Sequence, residues 1–309
     1  MPAERRALPG KDDLRAITAL VLVQVFFGAF SVVGKIALRE MTPFVLASFR
    51  AIFGALLLGL LARALAPPEP PPTWRDRRDI ALLALFGIVG NQLLFMSGLA
   101  RTTAVHATLL GVTIPLFTLG LSLGLRRERA DIRKALGLAL ALAGVLLLLD
   151  VRGGRMAGGS LAGDLLVLLN CASYSVFLVL ARDVLARRSA LSVIASAFRY
   201  GAVPILLVGA SDLASFRPAG LSRSAWVALA FIVVFATVGS YLLNAWALSR
   251  TSPSTTALFI YLQPLVAALL AHAFLGERIS SVTLVAAGLI FAGLALPALS
   301  ARRPAVNRG

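Results

Sequence analysis

Two arginines lie inside long apolar segments of this 309-residue sequence, and they are the side chains best suited to bind a charged ligand. Arg50 and Arg199 are separated by 149 positions. An arginine at the centre of a membrane span costs about 2.5–3.5 kcal/mol on insertion scales, so it normally faces protein or water. The pair could hold a substrate carboxylate or form an alternating gate. Alternatively, each could join helices by hydrogen bonds to backbone carbonyls at a helix break.

Two prolines lie near the middle of apolar segments, again 149 positions apart. Pro115 and Pro264 each remove a backbone hydrogen bond and clash with the carbonyl four residues earlier, so each predicts a helix kink. The carbonyls freed in this way, of Gly111 and Ile260, could face a polar cavity. Interruptions at corresponding places of two spans indicate a transporter's binding site. A kink that serves only helix packing is the alternative.

Polar and aromatic side chains recur at helical spacing within the apolar segments. An amide deep in a span needs a partner on a neighbouring helix or in cavity water, so these faces could join helices or line a substrate cavity. An aromatic-and-amide lining would suit a zwitterionic or moderately apolar molecule better than a polyanion. The predicted cavity residues are Gln24, Phe27, Ser31, Asn91, Phe95, Thr113, Asn170, Tyr174, Tyr241, Asn244, Tyr261 and Gln263.

All 14 acidic residues are predicted to lie in loops or at helix ends. Carriers coupled to protons or sodium usually keep a buried carboxylate in the transport pathway. The sequence predicts no such carboxylate, which favours facilitated export or exchange. The lack of paired aspartates inside the spans also argues against a membrane enzyme that binds a metal diphosphate, and no enzymatic activity is predicted.

The remaining reactive side chains give no sign of a metal or cofactor. His106 and His272 lie near the ends of apolar segments and do not align with each other in the repeat, so surface or capping roles are favoured over titration near neutrality. Cys171 is the single cysteine, so it forms no intramolecular disulfide. We therefore predict no metal and no cofactor.

Ten apolar segments would position these side chains. The mean hydropathy is +0.87 and 59% of the residues are hydrophobic, values typical of a membrane protein. About 20 helical residues cross a hydrocarbon core about 30 Å thick, and lipid cannot satisfy exposed backbone groups, so the spans are expected to be helices. The predicted spans are 17–38, 43–65, 80–100, 104–125, 135–149, 161–181, 191–210, 225–248, 254–275 and 282–299.

The second half of the sequence repeats the first at an offset of 149 residues. Gly90 then corresponds to Gly239, as Pro115 does to Pro264. Each copy holds five predicted spans, and an odd number forces the second copy to enter the membrane inverted. The predicted fold is an all-α polytopic membrane protein, with ten transmembrane helices in two inverted five-helix repeats at 1–151 and 152–309. Inverted repeats of this kind are typical of secondary transporters.

The formal net charge of +16 is explained by topology. Most basic residues fall in segments on one side of the predicted membrane, and the positive-inside rule places that side, with both termini, in the cytoplasm. Contact with anionic membrane lipid accounts for the basic surface, and no nucleic-acid partner is predicted. The first apolar run is too long for a cleaved signal peptide and lacks a cleavage site.

Short strings of residues resemble the ten-helix EamA family of the drug/metabolite transporter superfamily. They include FGAFS at 27–31, ASFR at 47–50, LSRTSP at 248–253, QPL at 263–265 and LGER at 275–278. The first copy departs at the last of these, with RRER at 126–129. The resemblance implies an inner-membrane carrier that exports amino acids or related small metabolites through a cavity between the repeats, by alternating access.

Two rival functions remain open at this stage. One is proton-coupled drug efflux, with a histidine or tyrosine in place of the missing carboxylate. The other is a membrane protein without transport activity, either a scaffold or a lipid-modifying enzyme. The sequence leaves the substrate, the coupling ion, the direction of transport and the oligomeric state undetermined.

Overall fold

The computed structural model describes residues 11–125, 132–149, 160–248, 259–260, 262–277 and 279–300. Within these ranges the chain is helical and contains no strand. A short 3₁₀ turn covers Pro218–Gly220. The other elements are α1 (Lys11–Ala37), α2 (Pro43–Leu65), α3 (Trp74–Ala84), the π-helix π1 (Leu85–Gly90), α4 (Asn91–Leu99), α5 (Ala104–Gly111), α6 (Ile114–Gly124), α7 (Ile132–Leu149), α8 (Leu161–Leu185), α9 (Ala190–Val208), α10 (Ala210–Ser215), α11 (Arg223–Phe231), the π-helix π2 (Ile232–Gly239), α12 (Ser240–Leu248), α13 (Leu262–Leu275) and α14 (Ser281–Ser300).

Hydroxyl side chains fix where seven of these helices begin. Each accepts a hydrogen bond from the backbone amide three residues later, which satisfies one of the free donors of the first turn. The capping residues are Thr42, Thr73, Thr103, Ser160, Ser189, Ser222 and Ser280.

Six helical stretches are long and apolar enough to cross a membrane. They are Arg15–Ala37, Pro43–Leu65, Trp74–Leu99, Leu161–Leu185, Ala190–Val208 and Arg223–Leu243. Three shorter apolar helices cover Ala104–Thr118, Leu262–Leu275 and Ser281–Gly293. The described part of the chain is thus all-helical, as in a multi-pass membrane protein. The total of ten spans stays a prediction.

The predicted fourth span is not continuous. The helix stops after Gly111 and resumes at Ile114, because Pro115 cannot donate a hydrogen bond to the carbonyl of Gly111. The Thr113 hydroxyl donates to the carbonyl of Leu110 at 2.6 Å, and that bond helps to satisfy the broken turn. In the second copy Pro264 is the third residue of α13, and Tyr261 lies outside the described residues.

The third and eighth spans each contain a π-helical segment, which the sequence did not predict. The segments end at the equivalent residues Gly90 and Gly239. Such widened turns are rare and are often found at functional sites. Side-chain hydroxyls bond to carbonyls of both segments: Ser173 to Phe86 at 2.8 Å and Ser240 to Phe235 at 3.0 Å.

Helix packing follows the repeat. The first span (α1) packs on the eighth (α11, π2 and α12) and the ninth (α13), and its equivalent, the sixth (α8), packs on the third (α3, π1 and α4) and the fourth (α5 and α6). The second and seventh spans (α2 and α9) pack on each other, as do the fifth and tenth (α7 and α14). Each of these contacts has a counterpart under exchange of the two copies, as expected for two related repeats.

Contacts between loops gather them at two ends of the bundle. At one end, Thr42 donates to Asp212, and Ser222 donates to Glu40 through both its hydroxyl and its backbone amide. These two hydrogen bonds hold the pKa of the Glu40 carboxyl below its usual range. We call this the predicted outer end, because its loops are those assigned to the outside by the charge distribution.

At the opposite end, the proline-rich connector after α2 contacts the turn after α8. Arg187 forms an ion pair with Asp79 at 2.9 Å, and Arg188 with Glu69 at 3.5 Å. Consecutive spans that cross the membrane in opposite directions place successive loops at opposite ends, and the two groups of loops agree with this. We call this the predicted cytoplasmic end.

Candidate functional site

Arg50 is buried where the two copies meet. Its side chain is 4% exposed, and its Nε donates to the hydroxyl of Thr237 at 2.9 Å. The guanidinium carbon lies 4.6 Å from the centroid of the Phe30 ring, a cation–π contact. Since Arg50 lies on α2 and Thr237 on π2, this hydrogen bond connects the first copy to the second.

The Arg50 guanidinium has donors to spare. It carries five N–H groups. Among the residues that the structure describes, its one side-chain acceptor is Thr237, and no carboxylate lies within ion-pair distance of it. Tyr241 and Tyr174 interact with it electrostatically. A buried cation without a carboxylate partner is the arrangement that attracts an anionic ligand.

The aromatic residues that interact with this cation come from the first, sixth and eighth spans, and rings of the third and seventh spans pack on them. Phe30 stacks on Phe95 with centroids 5.4 Å apart, and Tyr241 meets Phe198 edge-on at 5.4 Å. Tyr174 and Tyr241 lie within electrostatic range of each other as well as of Arg50. We refer to Phe30, Arg50, Phe95, Tyr174, Thr237 and Tyr241 as the Arg50 site.

Four of these six residues were predicted from sequence, and two were missed. Thr237 lies four residues before Tyr241, on the same face of its span, so helical spacing could have identified it. Phe30 belongs to the string at 27–31, in which Phe27 and not Phe30 was predicted to line the cavity. Phe27 is half-buried on α1.

The other predicted polar residues are engaged mainly in joining helices. Gln263 Nε2 on α13 donates to Gln24 Oε1 on α1 at 2.6 Å. The hydroxyls of Ser31 and Thr108 are 2.9 Å apart and connect α1 to α5. These contacts support the packing interpretation of the amide and hydroxyl faces.

Two further predicted residues meet next to π1. Asn170 on α8 donates to the backbone carbonyl of Asn91, where α4 begins, at 2.8 Å. Thr113 lines an apolar pocket of about 410 Å³ together with Phe117 and Ser175. The side chain of Asn244 lies outside the described part of the chain.

Arg199 does not take part in the Arg50 site. Its side chain is exposed on α9, where it donates to the Ser196 hydroxyl at 3.4 Å and lies 5.8 Å from the Tyr200 ring centroid. The two arginines are equivalent in the repeat but occupy different environments. The position equivalent to Thr237 is Ile88, which offers no hydroxyl to Arg199.

The prediction that no carboxylate is buried was wrong. Asp164, in the first turn of α8, is 0% exposed. Its Oδ2 lies 3.2 Å from Nδ1 of His106, and its Oδ1 accepts a hydrogen bond from Thr102. The helix end is enclosed because Gly163 approaches the backbone of Arg101, where a Cβ would lie 2.7 Å from the carbonyl carbon.

The surface role predicted for His106 was wrong for the same reason, since the side chain is buried against Asp164. The pair does not belong to a metal site. Within the described ranges, no group of three or more His, Cys, Asp or Glu side chains could hold a metal ion.

Glu277 caps the fifth helix from the second copy. Its two carboxylate oxygens accept hydrogen bonds from the amides of Ala104 at 2.9 Å and Val105 at 3.2 Å. A carboxylate at a helix N-terminus is stabilised by the free amides and the helix dipole. Lys35 on α1 interacts electrostatically with the same carboxylate.

Comparison with known proteins assigns the chain to a family. The model of the EamA-like transporter family matches residues 14–150 and again residues 161–298. The chain belongs to the EamA-like transporter family. This EamA-like chain is therefore a membrane transporter of the drug/metabolite transporter superfamily, and the family domain is present twice.

Relatives that the EamA-like chain matches over most of their length include two proteins named as transporters and a WAT1-related protein. An uncharacterized transporter of Archaeoglobus fulgidus is 27% identical over 293 residues, covering 92% of this chain and 95% of that one. The uncharacterized inner membrane transporter YedA of Escherichia coli K12 is 26% identical over 287 residues, covering 91% and 90%. The WAT1-related protein At3g18200 of Arabidopsis thaliana is 26% identical over 317 residues, covering 92% and 82%.

The fold of the EamA-like chain has also been observed by crystallography in another protein. The two structures superpose with a TM-score of 0.64 at 21% sequence identity, over 98% of this chain and 100% of the other. In this EamA-like transporter, the Arg50 site draws its residues from both matched regions, so it lies between the two family domains.

Proposed function

We propose that this protein is an inner-membrane secondary transporter that exports small organic metabolites, amino acids or related compounds, by alternating access. The observation that carries the proposal is Arg50, a cation buried between the two repeats without a carboxylate partner in the described structure. The substrate carboxylate binds the free guanidinium donors, because a planar guanidinium and a carboxylate can form two parallel hydrogen bonds.

The surroundings of Arg50 favour a particular class of acid. Phe30 and Phe95 supply apolar surface, and the hydroxyl groups of Tyr174 and Tyr241 can bond to a polar group of the substrate. A small carboxylate with an apolar or aromatic side chain fits this combination. A polyanion does not, because the site contains a single cation.

Alternating access is supported by the interruptions in equivalent spans. The π-helical segments end at Gly90 and Gly239, and the fourth span is broken before Pro115. Irregular turns absorb backbone rotation at low cost, and paired interruptions surround the site in many carriers. Rocking of one repeat against the other around Arg50 would expose the site to each side in turn.

The membrane orientation rests on charge. Basic residues are concentrated in the loops of the predicted cytoplasmic end, which supports an orientation with both termini in the cytoplasm. The relative YedA is named as an inner membrane transporter. The proposed direction of transport, export, rests on the family resemblance. It can be measured as accumulation of substrate outside the cells.

The test compares metabolites outside cells that express the wild type or Arg50→Met at matched membrane levels. We expect a small set of carboxylate-bearing compounds to accumulate outside wild-type cells only. Arg223→Gln, an exposed change at the start of α11, is the control and should export like the wild type. Equal export by wild type and Arg50→Met would contradict the proposal.

Proton-coupled efflux is a second candidate mechanism, supported by the buried Asp164 and His106 pair. The pair lies at the predicted outer end, so opening of that end during transport would expose it to water. Lys35, Glu277 and the exposed Arg101 are further charged groups near that end of α5, and Lys35 interacts electrostatically with Glu277 and Arg39. If coupling runs through the pair, Asp164→Asn keeps the bond from Thr102 but abolishes the response of efflux to an imposed pH gradient. A wild-type rate that is independent of the gradient would exclude this candidate.

A further inference from the structure

A groove of about 350 Å³ runs between α2 and α9 and contains two arginines. Arg63 and Arg199 both line it, together with Ser192 and Ser196. Gly59 lies on its floor, where a Cβ would meet no heavy atom within 4 Å. The groove is separate from the Arg50 site, since Arg50 is not among its lining residues.

Neither arginine in the groove is neutralised by protein. In the ranges that the structure describes, Arg199 contacts Ser196 and Tyr200, and Arg63 lies within ion-pair distance of no carboxylate. Two like charges in one groove repel each other, and repulsion is strong where the surroundings are apolar. An anion between them would relieve it, so the charge of the groove indicates an anionic ligand.

The position of the charges indicates the cytoplasmic leaflet. Arg63 lies in the last turn of α2, at the predicted cytoplasmic end. Arg199 lies nine residues after the start of α9, about 14 Å along the helix axis at 1.5 Å per residue. Its side chain reaches back to Ser196, one turn nearer that end, as arginines do when they extend toward the headgroup region.

The apolar side chains beyond the groove distinguish a lipid from a soluble anion. Leu56 on α2 and Val203 and Leu207 on α9 are each more than half exposed. Val203 and Leu207 follow Arg199 at intervals of four residues, so they continue along one face of α9 away from the predicted cytoplasmic end. Two cations at one end and an exposed apolar surface beyond them match the headgroup and the acyl chain of a phospholipid.

We propose that this groove binds one anionic phospholipid of the cytoplasmic leaflet. Its phosphate lies between Arg63 and Arg199, the hydroxyls of Ser192 and Ser196 donate to phosphate oxygens, and an acyl chain lies along Leu56 and Val203. The bound lipid bridges α2 and α9, the equivalent spans of the two repeats. This binding site does not depend on which substrate the Arg50 site accepts.

The test titrates purified protein in mild detergent with dioleoylphosphatidylglycerol and follows the midpoint of thermal unfolding. The wild type should be stabilised by this lipid, and much less by dioleoylphosphatidylcholine or by inorganic phosphate. The double variant Arg63→Gln, Arg199→Gln should need about 30-fold more lipid for the same shift. Arg75→Gln, Arg77→Gln is the matched control, since both are exposed cytoplasmic-end arginines outside the groove, and it should respond like the wild type.

Gly59→Leu provides a second test that keeps both charges. The new side chain occupies open space in the groove, so the protein should fold normally while its response to phosphatidylglycerol weakens. An unchanged response in both Gly59→Leu and the double variant would overturn the proposal. A shift of equal size with phosphatidylcholine would show a non-specific lipid effect, and one of equal size with inorganic phosphate would show a simple anion site. Either result would also overturn the proposal.

Discussion

Replacing Arg50 by methionine distinguishes a substrate-binding arginine from one that holds helices together. The hydrogen bond to Thr237 contributes about 1.5–3 kcal/mol, as is usual for a charged donor. The cation–π contact with Phe30 contributes about 2 kcal/mol in a desolvated site. Burial of the guanidinium costs several kcal/mol, so the terms nearly cancel. We expect Arg50→Met to change the free energy of unfolding by no more than about 1 kcal/mol.

Transport should respond very differently. A substrate carboxylate that loses two charged hydrogen bonds loses about 3 kcal/mol or more, which corresponds to at least a 100-fold fall in kcat/KM. Thermal unfolding in detergent and transport in liposomes measure the two effects on the same preparation, with Arg223→Met as the control. A variant destabilised by more than about 3 kcal/mol whose folded fraction transports normally would show that Arg50 only joins helices.

Three further predictions test the packing. Gly54→Ala places a Cβ 2.6 Å from Phe198 and should lower the free energy of unfolding by about 1–3 kcal/mol. Gly59→Ala, in open space on the same helix, should leave it unchanged. Equal effects of the two substitutions would refute the close approach of α2 and α9. Glu277→Ala removes the acceptors of the Ala104 and Val105 amides at the start of α5, while the Thr103 cap remains. It should destabilise the protein by about 1–2 kcal/mol, and unchanged stability would contradict a capping role for Glu277. Gln24→Ala leaves the Gln263 amide unpaired, so we expect a loss of about 1–3 kcal/mol in stability with substrate affinity retained. A selective fall in affinity would place Gln24 in the substrate cavity instead.

Helix positions followed from local sequence. Long apolar runs set the spans, and capping hydroxyls such as Thr42 and Thr103 set helix starts at the predicted residues 43 and 104. The repeat at 149 residues predicted two related halves, and the packing of the first and sixth spans on equivalent partners is consistent with it. The positions of the spans and the helix starts depend on local sequence and on the surrounding membrane.

The π-helical segments could not be predicted in this way. A π-turn differs from an α-turn by one residue, and the sequence of π1 resembles any apolar helix. The widened turn is accompanied by side chains far away in sequence, such as Ser173, whose hydroxyl bonds to the carbonyl of Phe86. Local propensity contains no information about that partner.

The environments of charged residues depended on tertiary structure for the same reason. Asp164 lies at a helix end, where an acid is usually exposed, but the close approach of Gly163 to the preceding turn encloses it. Arg50 and Arg199 are equivalent in sequence, yet only Arg50 meets a hydroxyl, because Thr237 and Ile88 occupy the corresponding positions across from them. Repeat symmetry predicted the pair and not the difference between its members.

The central claim is that Arg50 binds the carboxylate of the substrate between the two repeats. Counterflow in liposomes tests it most directly. A small exported acid and its neutral amide are compared as inhibitors of labelled-substrate uptake, with the wild type and with Arg50→Met. We predict that the acid competes at least 100-fold better than the amide for the wild type, and that Arg50→Met loses this preference. Equal competition by acid and amide at the wild type, or an intact preference in the variant, would contradict the account.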